Sequence, residues 1–142
     1  MLINRKNIAF RVFCFFILLG LISCTSSSSD VFPLRSSSWR LVELNNQPVS
    51  SNEKIILIFN QHGKITGQAP CNDYYAFYKQ RGKYLIFAEA ASSKKECGLS
   101  GNSLDKEEVF IQNLEKVRSF NVDGNKLIFY DEYYKSLMAF TR

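Results

Sequence analysis

The chain has 142 residues and a formal net charge of +5 at pH 7; 22% of its residues are charged and 46% are hydrophobic. Three of its 18 basic residues lie among the first eleven, so a body without that segment would carry 15 basic and 13 acidic residues. Because the two charges are nearly balanced and spread through the sequence, the body lacks the concentration of basic residues that is typical of a nucleic-acid-binding protein. We therefore expect no nucleic-acid partner.

The first 24 residues have the pattern of a bacterial export signal. Arg5, Lys6 and Arg11 form a positive start, and residues 12–22 form an apolar run of the length expected in a signal peptide. As a helix this run would span about 16 Å, roughly half of a bilayer's hydrocarbon core, which argues against a permanent transmembrane helix. The run ends in Leu21-Ile22-Ser23-Cys24, which resembles the lipobox of bacterial lipoproteins. We expect residues 1–23 to be removed and Cys24 to be lipidated, palmitate being among its acyl chains. The alternative is an ordinary signal peptide or an uncleaved anchor, with Cys24 incidental.

A polar, serine-rich segment follows the cysteine. Residues 24–37 cannot bury enough apolar surface to offset the entropy of ordering, so we expect a flexible tether there. One compact domain is expected at residues 38–142. In Gram-negative lipoproteins an Asp directly after the lipidated cysteine marks retention in the inner membrane, and Thr25 stands there instead. The expected location is the outer membrane, facing the periplasm.

Two cysteines, Cys71 and Cys97, remain in the predicted body. In an exported chain the simplest interpretation is a disulfide between them, which would stabilise the fold by about 3 to 4 kcal/mol in the chain-entropy model. Two free buried thiols are the alternative. A metal site is disfavoured because the sequence has no CxxC motif and His62 is its only histidine. We expect neither a metal nor another cofactor.

The body is dominated by patterns typical of short strands. Alternating or β-branched segments are separated by turn signals such as Asn60-Gln61-His62-Gly63 and Asp123-Gly124-Asn125. The predicted strands cover residues 39–44, 55–59, 64–69, 72–79, 84–87, 119–122, 126–130 and 136–140. Residues 103–118 instead place apolar side chains at the spacing of a helix face. We predict an α+β fold in which a strongly curved antiparallel sheet, or partly open β-barrel, of seven or eight strands has one helix packed across it.

Several of these residues together resemble the META domain, also called the HslJ-like domain. The resemblance covers residues 38–142 and is carried by three segments: Ser38-Trp39-Arg40-Leu41, then Gly67 with Cys71-Asn72, Tyr74 and Tyr78, and finally Ser93-Lys94-Lys95-Glu96-Cys97. Pro70, Ala76, Ser93 and Lys95-Glu96 depart from the pattern expected of the family. The resemblance implies a bacterial lipoprotein associated with heat shock, and with drug tolerance in some relatives.

The motif residues have structural interpretations. Trp39 would fill the core, Gly67 suits a β-bulge, and Asn72 can hydrogen-bond nearby backbone or adopt a left-handed conformation. Tyr78 completes the motif. We expect all four to support the fold.

The polar residues give no catalytic constellation, so we expect that the protein is not an enzyme. His62 lies in a predicted turn and should be solvated. Asp131-Glu132 is interpreted as a charged loop, and Lys94-Lys95 as a basic loop that could touch lipid head groups weakly.

The aromatic residues leave two interpretations open. They either fill the core or line an open barrel mouth that binds an apolar ligand or a peptide; the set is Tyr74, Tyr75, Phe77, Tyr78, Tyr130, Tyr133 and Tyr134.

Two functional hypotheses follow. The first is a monomeric, non-catalytic envelope lipoprotein, acting in stress response or envelope maintenance, that is anchored to the membrane and binds an unknown envelope protein or lipid. The second is a carrier of a small apolar ligand in an aromatic-lined barrel cavity. META domains are similar in fold to the pilotins of secretins, which bind lipid or a partner's C-terminal segment, but this analogy concerns the fold alone.

Overall fold

The computed structural model describes residues 34–95 and 102–142. The predicted signal peptide, the predicted lipidation site Cys24, most of the predicted tether and the motif residue Cys97 lie outside the described residues.

Within the described residues, nine strands and one helix follow one another along the chain. The strands are β1 (Ser37–Leu44), β2 (Gln47–Pro48), β3 (Ile56–Phe59), β4 (Lys64–Gln68), β5 (Asp73–Arg81), β6 (Tyr84–Ser92), β7 (Ser119–Asp123), β8 (Lys126–Tyr130) and β9 (Ser136–Thr141), and helix α1 (Asn102–Lys116) lies between β6 and β7. The α+β prediction of a curved antiparallel sheet crossed by one helix is confirmed. One strand more than the predicted seven or eight is present, because the segment after Asn45-Asn46 pairs with β1 instead of forming only a turn.

The sheet curves until its ends meet. Strand β1 pairs with β3 through Ser37–Arg40 and with β9 through Arg40–Leu44, so the first and last strands close a barrel. The weak point of the ring lies between β6 and β7, which share the single pair Tyr84 and Ser119. Helix α1 packs against β6, and its Phe110 ring contacts those of Tyr74 and Phe140 in the core. The helix therefore packs across a barrel whose strand pairing is weakest between β6 and β7.

The interior follows from the alternation of side chains along each strand. On β5, Tyr74, Ala76 and Tyr78 are buried while Tyr75 and Phe77 are exposed, so the two faces that alternation predicts for residues 72–79 are the inner and the outer one. Aromatic rings from several strands and from α1 pack together in the centre: Phe129 lies 5.0 Å from Phe140 and 5.6 Å from Phe87, between ring centroids. Burying one such side chain contributes about 1.5 to 3 kcal/mol to the free energy of folding.

Two local features shape the sheet. Asn45 and Asn46 have φ of 50° and 62°, the backbone of a primed hairpin turn, and Asn113 Nδ2 of α1 donates to Asn45 Oδ1 at 2.9 Å. Between β5 and β6 the register shifts, so that two residues of β6 oppose Ala76 alone. In this bulge Glu89 has a φ of 54°, a left-handed conformation that glycine adopts more easily.

Candidate binding surface

A buried polar network links the family motif to the helix. The Glu107 carboxylate of α1 is 4% exposed and accepts hydrogen bonds from Asn72 Nδ2 at 2.6 Å, from Cys71 N at 3.2 Å and from Asn72 N at 3.3 Å. Asn72 Oδ1 in turn accepts from Ser93 Oγ at 3.0 Å and from Lys95 N at 2.9 Å. One asparagine thus joins the turn before β5, the segment after β6 and the helix. The sequence predicted that the Asn72 side chain could bond nearby backbone, but its backbone partner, Lys95 N, is 23 positions away, and the contact with Glu107 was not predicted.

Gly67 is required by close packing and not by a bulge. The β3–β4 and β4–β5 ladders run through Gly67 without a register shift, so the bulge expected there is wrong. The ring of Tyr74 lies across Gly67, and its hydroxyl donates to Ile56 O at 2.5 Å. A Cβ on Gly67 would overlap both that carbonyl oxygen and the tyrosine ring. Burial also raises the pKa of the Tyr74 hydroxyl above the range in which tyrosine ordinarily ionises.

Trp39 and Tyr78, the other two motif residues, pack elsewhere in the core. Trp39 is buried, and its Nε1 donates to Ser37 Oγ at 2.7 Å. Tyr78 is buried against Phe59, with ring centroids 4.9 Å apart. Burial raises the pKa of Tyr78, and the Arg35 guanidinium beside it opposes that rise. The motif residues therefore pack in different parts of the core, and they do not converge on a solvent-accessible site.

The disulfide stays a prediction. Cys71 is buried, and its Sγ lies 3.4 Å from the carbonyl oxygen of Lys95, two residues before Cys97 in the sequence. Because Cys97 lies outside the described residues, the pairing itself is not observed.

The polar candidates are dispersed over the surface. His62 is exposed in the β3–β4 turn. Asp131 Oδ1 accepts from the backbone of Tyr133 and of Lys135, each at 2.9 Å, and so shapes its own loop. Lys95 Nζ lies 2.5 Å from Asp73 Oδ2. Across residues 34–95 and 102–142, no group of three His, Cys, Asp or Glu side chains has the arrangement of a metal site. The same ranges contain no helix long and apolar enough to span a membrane.

The seven aromatic candidates divide between the inside and the outside of the barrel. Tyr74 and Tyr78 belong to the core, Tyr130 is half-buried, and the other four are exposed. The side chains that point inward at the centre of the barrel pack against one another. The exposed four do not line its interior, because they lie on the outer face of β5 or in the β8–β9 loop.

The outer face of β3–β6 carries exposed apolar side chains in neighbouring positions. We call the set of Ile58, Tyr75, Phe77 and Ile86 the outer strip; these side chains are 40–44% exposed. The rings of Tyr75 and Phe77 meet edge to face at 6.2 Å, and Lys64 Nζ lies 4.3 Å from the Tyr75 centroid. Sequence alternation placed Tyr75 and Phe77 on one face, but it could not show that this face is the outside.

Two clefts flank the outer strip. One, of about 570 Å³, lies beside Ile58 and Tyr75, and the other, of about 390 Å³, lies beside Phe77 and Ile86. The rings of Tyr75 and Phe77 form a ridge between the two clefts. A ridge with apolar sides and a cation above it is suited to binding a partner with apolar and acidic groups.

The fold and the motif network define an antiparallel barrel crossed by one helix, with its motif residues in the core. The META domain profile matches residues 33–142, and the chain belongs to the META domain family. A search of curated proteins returns no match.

Solved structures share the fold at low sequence identity. An NMR structure of a protein from Burkholderia xenovorans is 18% identical, with a TM-score of 0.62 over 77% of this chain and 83% of that one. A second NMR structure is 18% identical, with a TM-score of 0.58 over 75% and 88% of the two chains. A crystal structure of a DUF4847 family protein from Bacteroides vulgatus is 15% identical, with a TM-score of 0.54 over 75% and 92%. At these identities the likeness concerns the fold.

Proposed function

We propose that this protein is a lipid-anchored, non-catalytic binding module of the bacterial cell envelope, acting in stress response or envelope maintenance. The anchor is supported by the sequence of residues 1–24, in which a basic start and an apolar run lead into Leu21-Ile22-Ser23-Cys24. Lipid chains on Cys24 would hold the body at the membrane surface, because each buried CH₂ contributes about 0.8 kcal/mol.

The outer strip is the single observation that carries the binding role. Apolar side chains that are grouped and exposed in this way mark interaction sites. Tyr75 and Phe77 present rigid aromatic surface, which is the kind of side chain that dominates binding energy at interfaces.

The charges around the outer strip favour a protein segment with apolar and acidic residues as the partner. Lys64 lies over both rings, 4.3 Å from the Tyr75 centroid and 5.6 Å from that of Phe77. On the same outer face the Asp73 carboxylate is paired with Lys95. A carboxylate of the partner would therefore meet Lys64 where no described acidic side chain competes for it.

The carrier hypothesis receives less support. A carrier needs space inside the barrel, where Phe59, Phe129 and Phe140 are fully buried against their neighbours. The clefts beside the outer strip open on the outer wall instead.

Photo-crosslinking in living cells tests the binding role. A crosslinking amino acid in place of Tyr75 or Phe77 should give one discrete product, and the same amino acid in place of exposed Gln112 on α1 should not. Lys64→Glu should reduce the product by at least tenfold, because it places like charges together. No product at either strip position, or equal products at all three positions, would overturn the proposal.

A further inference from the structure

The antiparallel topology gathers several turns at one end of the barrel. Because paired neighbouring strands run in opposite directions, the end at which β1 begins also carries the β3–β4, β5–β6 and β7–β8 turns. Two hydrogen bonds join these segments: Leu34 N donates to Gln80 Oε1 at 3.4 Å, and Ser36 N donates to Phe59 O at 2.9 Å. We call residues 34–36, 60–64, 79–84 and 123–126 the basic end.

Charge is distributed unevenly between the two ends. The basic end contains six Lys or Arg residues and one acidic residue, Asp123. Five of the six are exposed: Arg35, Lys79, Arg81, Lys83 and Lys126. The segments at the other end, residues 45–54, 69–73, 93–95 and 105–108, contain five acidic and four basic residues. Folding therefore separates charges that are evenly mixed along the sequence.

The basic end is also the end at which the chain enters the body. Leu34 is buried there, and ten residue steps separate it from Cys24. A chain of that length reaches at most about 35 Å and has a root-mean-square extension of about 17 Å if it behaves as a flexible coil. An anchor at Cys24 would thus keep this end of the body close to the membrane.

An exposed tyrosine lies within the same surface. Tyr84 is 69% exposed and directly follows Lys83. Both border a cleft of about 470 Å³, whose lining also includes Tyr130 and Tyr134. Tyrosine is enriched where proteins meet the head-group region of a bilayer, because its ring is apolar and its hydroxyl is polar. Lysine and arginine near a bilayer are attracted by anionic head groups.

We propose that the basic end is a membrane-facing surface that binds the anionic head groups of phospholipids and orients the body on the bilayer. The choice of a membrane as partner rests on the proposed anchor at Cys24. The outer strip lies on the wall of the barrel and adjoins the basic end at Lys64, whose Nζ lies 4.3 Å from the Tyr75 centroid.

Vesicle flotation tests the inference without any lipid on the protein. The chain from residue 24, with Cys24→Ser, is mixed with vesicles of phosphatidylcholine alone or of phosphatidylcholine and phosphatidylglycerol in equal parts. We expect binding to the anionic vesicles only, weakened by added salt. Lys79→Gln, Arg81→Gln and Lys83→Gln together should lower the affinity about a hundredfold, or about fivefold for each side chain.

A matched control removes the same charge from the other end. Lys54→Gln, Lys94→Gln and Lys95→Gln together should leave the affinity within about twofold, and thermal unfolding checks that both triple variants are folded. Equal losses in the two triple variants would show attraction by net charge alone and overturn the proposal. So would equal binding to neutral vesicles, or displacement by inorganic phosphate at constant ionic strength, which would indicate a discrete anion site. Because the protein carries no lipid here, the result does not depend on whether Cys24 is lipidated in cells.

Discussion

Asn72 Nδ2 and Glu107 Oε1 lie 2.6 Å apart in the buried junction between the family motif and α1. The sequence distance between the two residues is 35 positions, and the contact joins the turn before β5 to the helix that packs across the barrel. Docking of the helix therefore depends on a polar contact as well as on Phe110 and Leu114.

Glu107→Ala tests this junction. The substitution removes the acceptor of three hydrogen bonds and leaves buried donors on Cys71 and Asn72, so we expect a loss of about 3 kcal/mol in the free energy of unfolding. Urea unfolding measures it. Glu108→Ala, on the exposed side of the same turn, should change stability by no more than about 0.5 kcal/mol. Equal effects of the two substitutions would contradict the role of Glu107.

Gly67→Ala should destabilise the barrel by at least about 2 kcal/mol, because the added methyl group overlaps backbone and a buried ring. Gly82→Ala is the comparison: its Cβ would meet no atom within 4 Å, and only its φ of +58° opposes the change. That strain costs about 1 kcal/mol. A smaller loss at Gly67 than at Gly82 would show that the close approach to Tyr74 yields easily.

Glu89→Gly should stabilise the protein by about 0.5 kcal/mol, since relief of the left-handed conformation in the β5–β6 bulge, about 1 to 2 kcal/mol, exceeds the entropic cost of a glycine, about 0.5 to 1 kcal/mol. Thermal or urea unfolding gives the sign directly. Ala88→Gly, one position earlier in β6, should instead destabilise the strand by about 0.5 to 1 kcal/mol. If both substitutions lower stability, the bulge does not strain Glu89.

Stability should fall as the pH rises above about 10. Burial raises the pKa of Tyr74 in the folded protein, so above the ordinary tyrosine pKa of about 10 the unfolded chain loses a proton that the folded chain keeps. The stabilising effect is complete below that pH and is lost as the pH rises, by about 1.4 kcal/mol for each pH unit. Urea unfolding at several pH values between about 9 and about 11 measures the slope.

Two tyrosine variants separate this effect from general alkaline unfolding. Tyr74→Phe should reduce the slope, leaving the part that the raised pKa of Tyr78 contributes, and cost about 1 kcal/mol at neutral pH, through loss of the hydrogen bond to Ile56 O. Tyr133→Phe, at an 81% exposed position, should change neither quantity. An unchanged slope in Tyr74→Phe would assign the pH dependence to other groups.

The predicted disulfide is tested by peptide mass mapping without reduction. We expect two peptides joined by the disulfide, one containing Cys71 and the other Cys97. Cys97→Ser should lower the free energy of unfolding by about 3 to 4 kcal/mol. Reduction of the unmodified protein should produce a loss of the same size. Two alkylatable thiols in the native protein would rule the bond out.

Local patterns predicted much of the fold. The period-two burial of Tyr74, Ala76 and Tyr78, and the hairpins around Gly63 and Gly124, follow from alternation and from φ angles of +72° and +58° that glycine adopts readily. The helix was evident because its apolar side chains recur at helical spacing.

Long-range relationships could not be predicted in the same way. Closure of β1 on β9 joins residues about a hundred positions apart, and no local period encodes that pairing. The roles of Glu107 and of Gly67 depend on which distant atoms approach them. The basic end likewise exists only after antiparallel pairing brings four separate segments together.

The central claim is that the body is held at the membrane through residue 24, and the intact mass of the protein extracted from cell membranes tests it most directly. We predict a chain that begins at Cys24 and carries acyl chains, and a Cys24→Ala variant that keeps residues 1–23 and carries none. A mature chain without lipid, or an unmodified protein that retains residues 1–23, would contradict the account.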